Sequence, residues 1–149
     1  MKKIFIIMMM LLMTGCGSEA NVSSTEVQIA EVNMTNEVTM QIGNKTFNIV
    51  LENNPAVEAL IKKLPLNVEM KELNGNEKYY QFKEHFPSND INPKMIHTGD
   101  LMLYSGSYLV LFYKDFKTNY NYTRIGHVAN VEGLVEAVGS GNIHVTIKK

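Results

Sequence analysis

Residues 108–113 (YLVLFY) constrain the fold of this chain more than any other segment. Their apolar side chains occupy both odd and even positions, and successive side chains of a strand point to opposite faces. Such a strand needs cover on both faces, as a central strand of a barrel has. Residues 38–42 and 143–147 instead alternate apolar with other side chains, which predicts half-buried strands.

The number of strands relative to helices selects the fold class. Further strands are predicted at residues 46–51, 66–70, 79–82, 101–104 and 122–128, giving about eight in all. Only two helices are predicted, and their apolar stripes are Val57, Leu60, Ile61 and Leu64, then Val131, Leu134, Val135 and Val138. A parallel sheet would need a crossover for each strand. We therefore predict a mainly β chain that closes into an antiparallel eight-stranded barrel with two helices.

The first residues predict export rather than folding. Lys2 and Lys3 precede an apolar run at residues 4–13, which is too short to span a bilayer as a helix. The run ends just before Gly15 and Cys16, the only cysteine. This pattern resembles the bacterial lipoprotein signal, which implies that Cys16 is lipidated and becomes the new N-terminus. Met13 departs from the leucine, valine or isoleucine usual at its position, and an ordinary signal peptide with an incidental cysteine is the alternative.

The chain accordingly divides into three parts. Residues 1–15 are expected to be a lipoprotein signal peptide, residues 16–36 a flexible tether and residues 37–149 the barrel domain. A short strand near residues 27–32 is compatible with the tether. The expected location is the outer side of the cytoplasmic membrane of a bacterium, with a lipid anchor as the membrane partner.

Composition argues against several other classes of function. The net charge is −1, and no basic cluster is dense enough to bind nucleic acid. The sequence lacks a Gly-x-Ser-x-Gly elbow and a phosphate-binding Gly-Lys-Ser/Thr motif. Neither a metal nor a cofactor is expected, because four histidines show no ligand spacing: His85, His97, His127 and His144. The oligomeric state is left open.

The order of elements resembles that of cyclophilins, with a helix after the second strand and another before the last. Local motifs carry the same resemblance: His97-Thr98-Gly99, then Phe112-Tyr113, then Ile125-Gly126-His127-Val128. The segments LNGNEKYY, GDLMLY and YNYTRIG are more closely similar to a compact bacterial and archaeal family of cyclophilin-like proteins. That family has no agreed activity. The resemblance covers roughly residues 38–149 and implies a cyclophilin-like barrel.

The residues of a cyclophilin isomerase site are only partly matched. The resemblance places Phe112 at the pocket phenylalanine and Tyr122 at the pocket histidine. The chain has no tryptophan, and no arginine lies near residues 77–80, where the catalytic arginine would fall. Twisting a prolyl amide requires a donor aimed at its nitrogen in the transition state. The sequence therefore predicts no catalytic residue.

Aromatic residues on connected segments predict a ligand groove instead. Residues 96–128 contain five of the seven tyrosines and the single arginine, Arg124, which shares strand parity with Tyr122. The predicted groove residues are Tyr80, Tyr104, Phe112, Phe116, Tyr122 and Arg124. Two alternatives stay open: the tyrosines serve core and rim packing, or Arg124 pairs with Asp100 or Asp115.

Three functions follow from these observations. The first is a binding module that displays the groove at the cell envelope and captures a peptide or small ligand. The alternative is an enzyme, a weak or divergent peptidyl-prolyl cis-trans isomerase acting on exported proteins. The third is a structural role in envelope assembly. The missing arginine and tryptophan argue against the enzyme.

Overall fold

The computed structural model describes residues 36–149. The predicted signal peptide, Cys16 and nearly all of the predicted tether lie outside the described residues. Ten strands and two helices occur within them: β1 (Glu37–Ile42), β2 (Lys45–Leu51), α1 (Pro55–Ile61), β3 (Leu66–Leu73), β4 (Glu77–Gln81), β5 (Met95–Ile96), β6 (Asp100–Tyr104), β7 (Tyr108–Phe112), β8 (Phe116–Lys117), β9 (Thr123–Val128), α2 (Leu134–Val138) and β10 (Ile143–Lys148).

Eight of the strands close into an antiparallel barrel, which confirms the predicted fold class. Their order around the barrel is β1-β10-β3-β4-β7-β6-β9-β2. Gly126 of β9 lies so close to β2 that a Cβ atom there would stand 2.3 Å from the carbonyl oxygen of Val50. The remaining strands, β5 and β8, form a separate two-stranded sheet. This pairing places Phe116 opposite Ile96 in the connection between β7 and β9.

The two-sided strand β7 is covered on both faces, as predicted. Leu109 and Leu111 point into the barrel and join its main core. Val110 and Phe112 point outward into a second apolar cluster. β7 is therefore shared by the barrel interior and by the layer that covers the barrel from outside.

The two helices match their predicted stripes to different degrees. At α1 the Asn54 side chain accepts a hydrogen bond from the Val57 N–H, and Pro55 opens the helix. Helix α2 begins at Leu134, after the first residue of its predicted stripe, and it is only five residues long. Because α2 makes only about one and a half turns, it packs a single narrow stripe against the barrel. Leu134 and Val138 are buried, and Val131 and Val135 are exposed.

A lysine is the largest fully buried polar side chain of the barrel. Lys78 of β4 is 0% exposed, and its ammonium group forms an ion pair with Glu72. It also donates hydrogen bonds to the carbonyl oxygens of Gly139 (3.0 Å) and Gly141 (2.6 Å). The Tyr113 ring lies 5.0 Å from the ammonium, and its hydroxyl donates to Glu72 at 2.8 Å. This network connects β3, β4 and the residue that follows β7 to the end of α2.

Glu72 is held ionised by these contacts. Partial burial raises the pKa of the carboxyl, but hydrogen bonds from Lys78, Tyr113 and the Gly75 N–H outweigh it, and the pKa is lowered overall. On Tyr113, burial and the bond to the carboxylate raise the phenol pKa to about 12.

Glu72→Gln should therefore destabilise the barrel, because it leaves a buried ammonium without its counter-charge. Since Glu72 is itself partly exposed, we expect a loss of about 2 kcal/mol in the free energy of unfolding at neutral pH. The matched control is Glu84→Gln, which removes an exposed pair with Lys63 and should leave stability unchanged. Urea unfolding measures both, and an equal effect of the two substitutions would contradict the assignment.

The pH dependence gives a second readout of the same network. The folded-state pKa of Glu72 is lowered, so its stabilisation is present above the unfolded carboxyl pKa of about 4.3 and is lost as the pH falls through the folded value. Unfolding at acidic pH should thus erase much of the difference between wild type and Glu72→Gln. A difference that is undiminished at acidic pH would refute the ionic origin.

Candidate functional site

The outer face of β4, β6 and β7 carries a second apolar cluster that is separate from the barrel core. Directly opposed residues of antiparallel strands point to the same side. Glu77 faces the same side as Phe112, and Tyr79 the same side as Val110. The buried members of the cluster are Ile96, Met102, Val110, Phe112 and Tyr122. This cluster forms the floor on which the candidate site is built.

A cavity of about 560 Å³ lies above this floor, and we call it the tyrosine groove. Its walls are mostly aromatic, with one carboxylate and few other polar groups. The lining residues are Leu73, Asn74, Glu77, Tyr79, Tyr104, Ser105, Tyr108, Val110, Tyr120 and Tyr122. The volume falls within the range of about 300–1,000 Å³ that is common for small-ligand pockets.

A second depression of about 480 Å³ adjoins the tyrosine groove. Four residues line both cavities: Asn74, Glu77, Tyr120 and Tyr122. Phe116 and Lys117 of β8 form its far side. The shared residues therefore lie between two connected spaces, and one extended ligand could contact both.

Two tight turns of the same construction build the rims of the groove. In the first, Asn74 and Gly75 both have positive φ, and the Asn76 N–H donates to the Leu73 carbonyl at 3.3 Å. In the second, Ser105 and Gly106 have positive φ, and the Ser107 N–H donates to the Tyr104 carbonyl at 3.2 Å. Positive φ at both central residues is the requirement of type I′ turns, which match the twist of hairpins.

Tyr104 is the central ring of the aromatic wall. Its centroid lies 5.6 Å from that of Tyr122, 6.0 Å from that of Tyr120 and 6.3 Å from that of Tyr108. Tyr108 in turn lies 6.0 Å from Tyr79. All four pairs are tilted or edge-on, the geometries that aromatic pairs favour. Tyr104 and Tyr120 remain 39% and 64% exposed, so their rings present open area to a ligand.

Tyr122 is held in the floor by the loop that precedes β5. Its backbone exchanges two hydrogen bonds with Ile91, at 3.0 and 2.9 Å. The neighbouring Thr123 hydroxyl donates to Asp90 at 2.6 Å. The Tyr122 ring stands edge-on to Phe112 at 5.5 Å. These contacts make Tyr122 a fixed part of the floor, although it lines both cavities.

Glu77 is the acidic group of the groove. Its carboxylate has no hydrogen-bond or ion-pair partner among residues 36–149. Burial raises the pKa of the Glu77 carboxyl, and the negative charge of Glu72 raises it further. The groove thus contains a half-buried carboxylate that its own fold leaves uncompensated.

Four of the predicted groove residues meet at this site in different roles. Tyr104 and Tyr122 line the tyrosine groove, and Phe116 lines the adjoining depression. Phe112 is completely buried beneath them, 5.7 Å from Phe116 and 5.5 Å from Tyr122. Phe112 therefore supports the floor and offers no surface to a ligand.

The other two predicted groove residues lie elsewhere. Tyr80 points toward the barrel core and stands edge-on to Phe82 at 5.0 Å, because strand alternation gives the outward position to Tyr79. Arg124 lines neither cavity; its carbonyl oxygen accepts a hydrogen bond from Asn54 at 2.8 Å.

Arg124 also forms neither of the ion pairs that the sequence left open. The Asp100 carboxylate accepts the His97 N–H at 2.8 Å. The Asp115 carboxylate accepts the N–H and the hydroxyl of Thr98, at 2.7 and 2.9 Å. Both carboxylates thus bind the turn at residues 97–98, and Arg124 has no ion pair within the described part of the chain.

Sequence reasoning missed Glu77, Tyr79, Tyr108 and Tyr120 as lining residues. A signal existed for Tyr108. Tyr104-Ser-Gly-Ser-Tyr108 reads as a tight hairpin, and such a hairpin brings its flanking tyrosines opposite each other on one face, as the observed register does. Glu77 and Tyr79 could be found only from the parity of β4, which the sequence does not determine.

Two further features of the described residues concern metal binding and membrane-spanning helices. Residues 36–149 contain no group of three or more histidine, cysteine, aspartate or glutamate side chains placed to hold a metal ion. No helix among them is long and apolar enough to cross a bilayer.

Comparison with known proteins assigns the chain to a family. The model of the cyclophilin-like family matches residues 40–148. A hypothetical protein from Archaeoglobus fulgidus, solved in solution, is similar in structure with a TM-score of 0.51 and 16% identity, over 75% of this chain and 92% of that one. At this identity the likeness concerns the fold alone. No curated protein matches. The chain belongs to the cyclophilin-like family.

Proposed function

We propose that this protein is a ligand-binding module of the cell envelope whose site is the tyrosine groove. The observation that carries the proposal is an open cavity of about 560 Å³ walled by five tyrosines on the outer face of a closed barrel. Half-exposed rings such as Tyr104 bury apolar area against a ligand, and their hydroxyls orient its polar groups. The occupant is a short peptide segment or a small molecule of similar size.

The dimensions of the groove favour an extended ligand. It runs along the outer face of β4 and β7, from the turn at Asn74 to the turn at Ser105. The five residues of β4 (Glu77–Gln81) span about 14 Å, which is the length of about five residues of an extended ligand. The adjoining depression at Phe116 adds room at one side.

An isomerase is less well supported than a binding module. Isomerisation needs a donor aimed at the prolyl nitrogen. Arg124 is the only arginine of the chain and lies outside the groove lining, and the position of the pocket histidine is occupied by Tyr122. A protease-coupled assay with a proline tetrapeptide should therefore give the uncatalysed rate. Catalysis that disappears in Tyr104→Ala would reverse the preference.

Ligand screening tests the groove directly. The full chain in dodecyl maltoside, a non-ionic detergent, is screened with small apolar compounds and short peptides by saturation-transfer NMR. Tyr104→Ala and Tyr120→Ala should each weaken hits by about three- to tenfold, because each removes an aromatic contact of about 0.5–1.5 kcal/mol. Both rings are substantially exposed, so truncation should leave the fold intact.

The matched control is Arg124→Ala, two residues after Tyr122 of the floor but outside the lining. It should leave the affinity unchanged. Hits whose affinity falls in Arg124→Ala but does not change in either tyrosine variant would contradict the tyrosine groove as the binding site.

We also propose that Cys16 carries a lipid that anchors the domain on the outer side of the cytoplasmic membrane. The supporting observation is the position of the only cysteine, directly after an apolar run of signal-peptide length. Two or more acyl chains would hold the protein firmly, at about 0.8 kcal/mol for each buried methylene.

Cells fed an alkyne-labelled palmitate should label the wild-type chain, and Cys16→Ser should abolish the label and release the protein into the soluble envelope fraction or the medium. Ser18→Ala, two residues away, should behave as the wild type. Persistent labelling of Cys16→Ser would disprove lipidation at this residue.

A further inference from the structure

We infer that the tyrosine groove selects a ligand bearing an organic cation, an ammonium or guanidinium group, with Glu77 as its counter-charge. This inference rests on the proposed binding function and names the chemistry of the ligand. Three features of the described residues carry it: an unpaired carboxylate, a ring of tyrosine faces and edges around the same cavity, and an orphaned acceptor nearby.

The Glu77 carboxylate is the first feature. It lines both cavities, and its burial removes solvent that would otherwise stabilise its charge. The charge of Glu72, which has the same sign, raises the pKa of Glu77 further. A buried charge without a partner lowers stability, so a cationic ligand is the group that would compensate it.

The tyrosine walls are the second feature. Aromatic faces carry negative electrostatic potential and attract ammonium and guanidinium groups, and aromatic cages recognise such cations in many proteins. Tyr79, Tyr104, Tyr108, Tyr120 and Tyr122 all line the cavity that Glu77 lines. Burial is the main cause of a raised Tyr122 pKa, and the Glu77 charge adds to it, so carboxylate and ring share one electrostatic environment.

Asn76 supplies the third feature. Its side-chain oxygen Oδ1 is buried and has no hydrogen-bond partner among the described residues. Asn76 lines the adjoining depression together with Glu77. A buried acceptor left unpaired costs about 1–3 kcal/mol, and a ligand with N–H donors would satisfy it. The carboxylate favours a positive charge and the amide oxygen favours an N–H donor, and an ammonium or guanidinium group supplies both.

Lys117 does not already fill this role. It lines the adjoining depression, but its ammonium forms no ion pair with Glu77 within 4 Å. Its side chain is exposed and thus free to remain in solvent. The groove remains an acidic aromatic site on a chain whose total charge is only −1.

Two peptides of equal length separate charge from shape. Acetyl-Ala-Lys-Ala-Ala-amide carries an ammonium on four carbons, and the norleucine analogue carries a neutral chain of similar length. Calorimetric titration of the full chain in dodecyl maltoside should show the lysine peptide binding about tenfold more tightly. A third titration with n-butylammonium chloride distinguishes a free amine from a peptide side chain, since a free amine needs no peptide contacts.

Glu77→Gln should abolish the preference for the lysine peptide, bringing its affinity to that of the norleucine peptide. The substitution should not unfold the protein, because it removes a carboxylate that has no partner and is repelled by Glu72; thermal unfolding checks this. Glu58→Gln, an exposed carboxylate on α1, changes net charge equally and should leave the preference intact.

The outcomes separate the two proposals. Equal binding of both peptides, weakened by Tyr104→Ala, overturns the cation preference and leaves the groove standing. No binding by either peptide or by n-butylammonium overturns the cation preference, and the compound screen then decides the groove. A lysine preference that survives Glu77→Gln or vanishes in Glu58→Gln also contradicts the role of Glu77.

Discussion

The burial of the Lys78 ammonium group determines which side chains of β4 point into the barrel and which point outward. Lys78 is completely enclosed, and its charge is acceptable there only because Glu72 and two backbone carbonyls surround it. Because side chains alternate along a strand, an inward Lys78 forces Glu77 and Tyr79 outward. The same strand thus closes the barrel with one face and supplies the carboxylate and a ring of the candidate site with the other. A slip of one residue would expose the ammonium and bury Glu77 in the core.

Glu72 and Glu77 carry the same charge, but their surroundings shift their pKa values in opposite directions. Glu72 is surrounded by donors, and its pKa is lowered despite some burial. Glu77, five residues later, is half-buried without a donor, and its pKa is raised by that burial and by Glu72. The ammonium of Lys78 therefore neutralises Glu72 and leaves Glu77 without a counter-charge. The cationic ligand that we propose would supply Glu77 with the counter-charge that the fold does not provide.

Much of the barrel could be predicted from alternation, whereas the groove could not. Residues 38–42 and 143–147 have patterns that fix their faces, residues 108–113 predict a strand covered on both faces, and all three occupy the expected places. In residues 77–81 (EKYYQ) the pattern is ambiguous, and lysine is almost never fully buried. A solvent-facing Lys78 would place Tyr80 outside with it, so the sequence favours the wrong tyrosine of the pair for the wall. The acceptors that bury Lys78 come from residues 72, 139 and 141, contacts that a local pattern does not contain.

Phe112 illustrates the other limit of sequence reasoning, the difference between a pocket and its floor. The resemblance placed the ring of Phe112 at the site, but it did not indicate that this ring is completely buried. Phe112 is sealed by Phe116 and Tyr122, both delivered by the connection after β7. The open surface is consequently displaced toward other rings: Tyr79, Tyr104 and Tyr108 project from barrel strands, and Tyr120 lies in the connection between β8 and β9. Rings on barrel strands are held in place before a ligand arrives. Binding to them would therefore not lose free energy by ordering a loop. In the proposed site, a charge held on β4 at Glu77 would favour a cationic ligand over a neutral one.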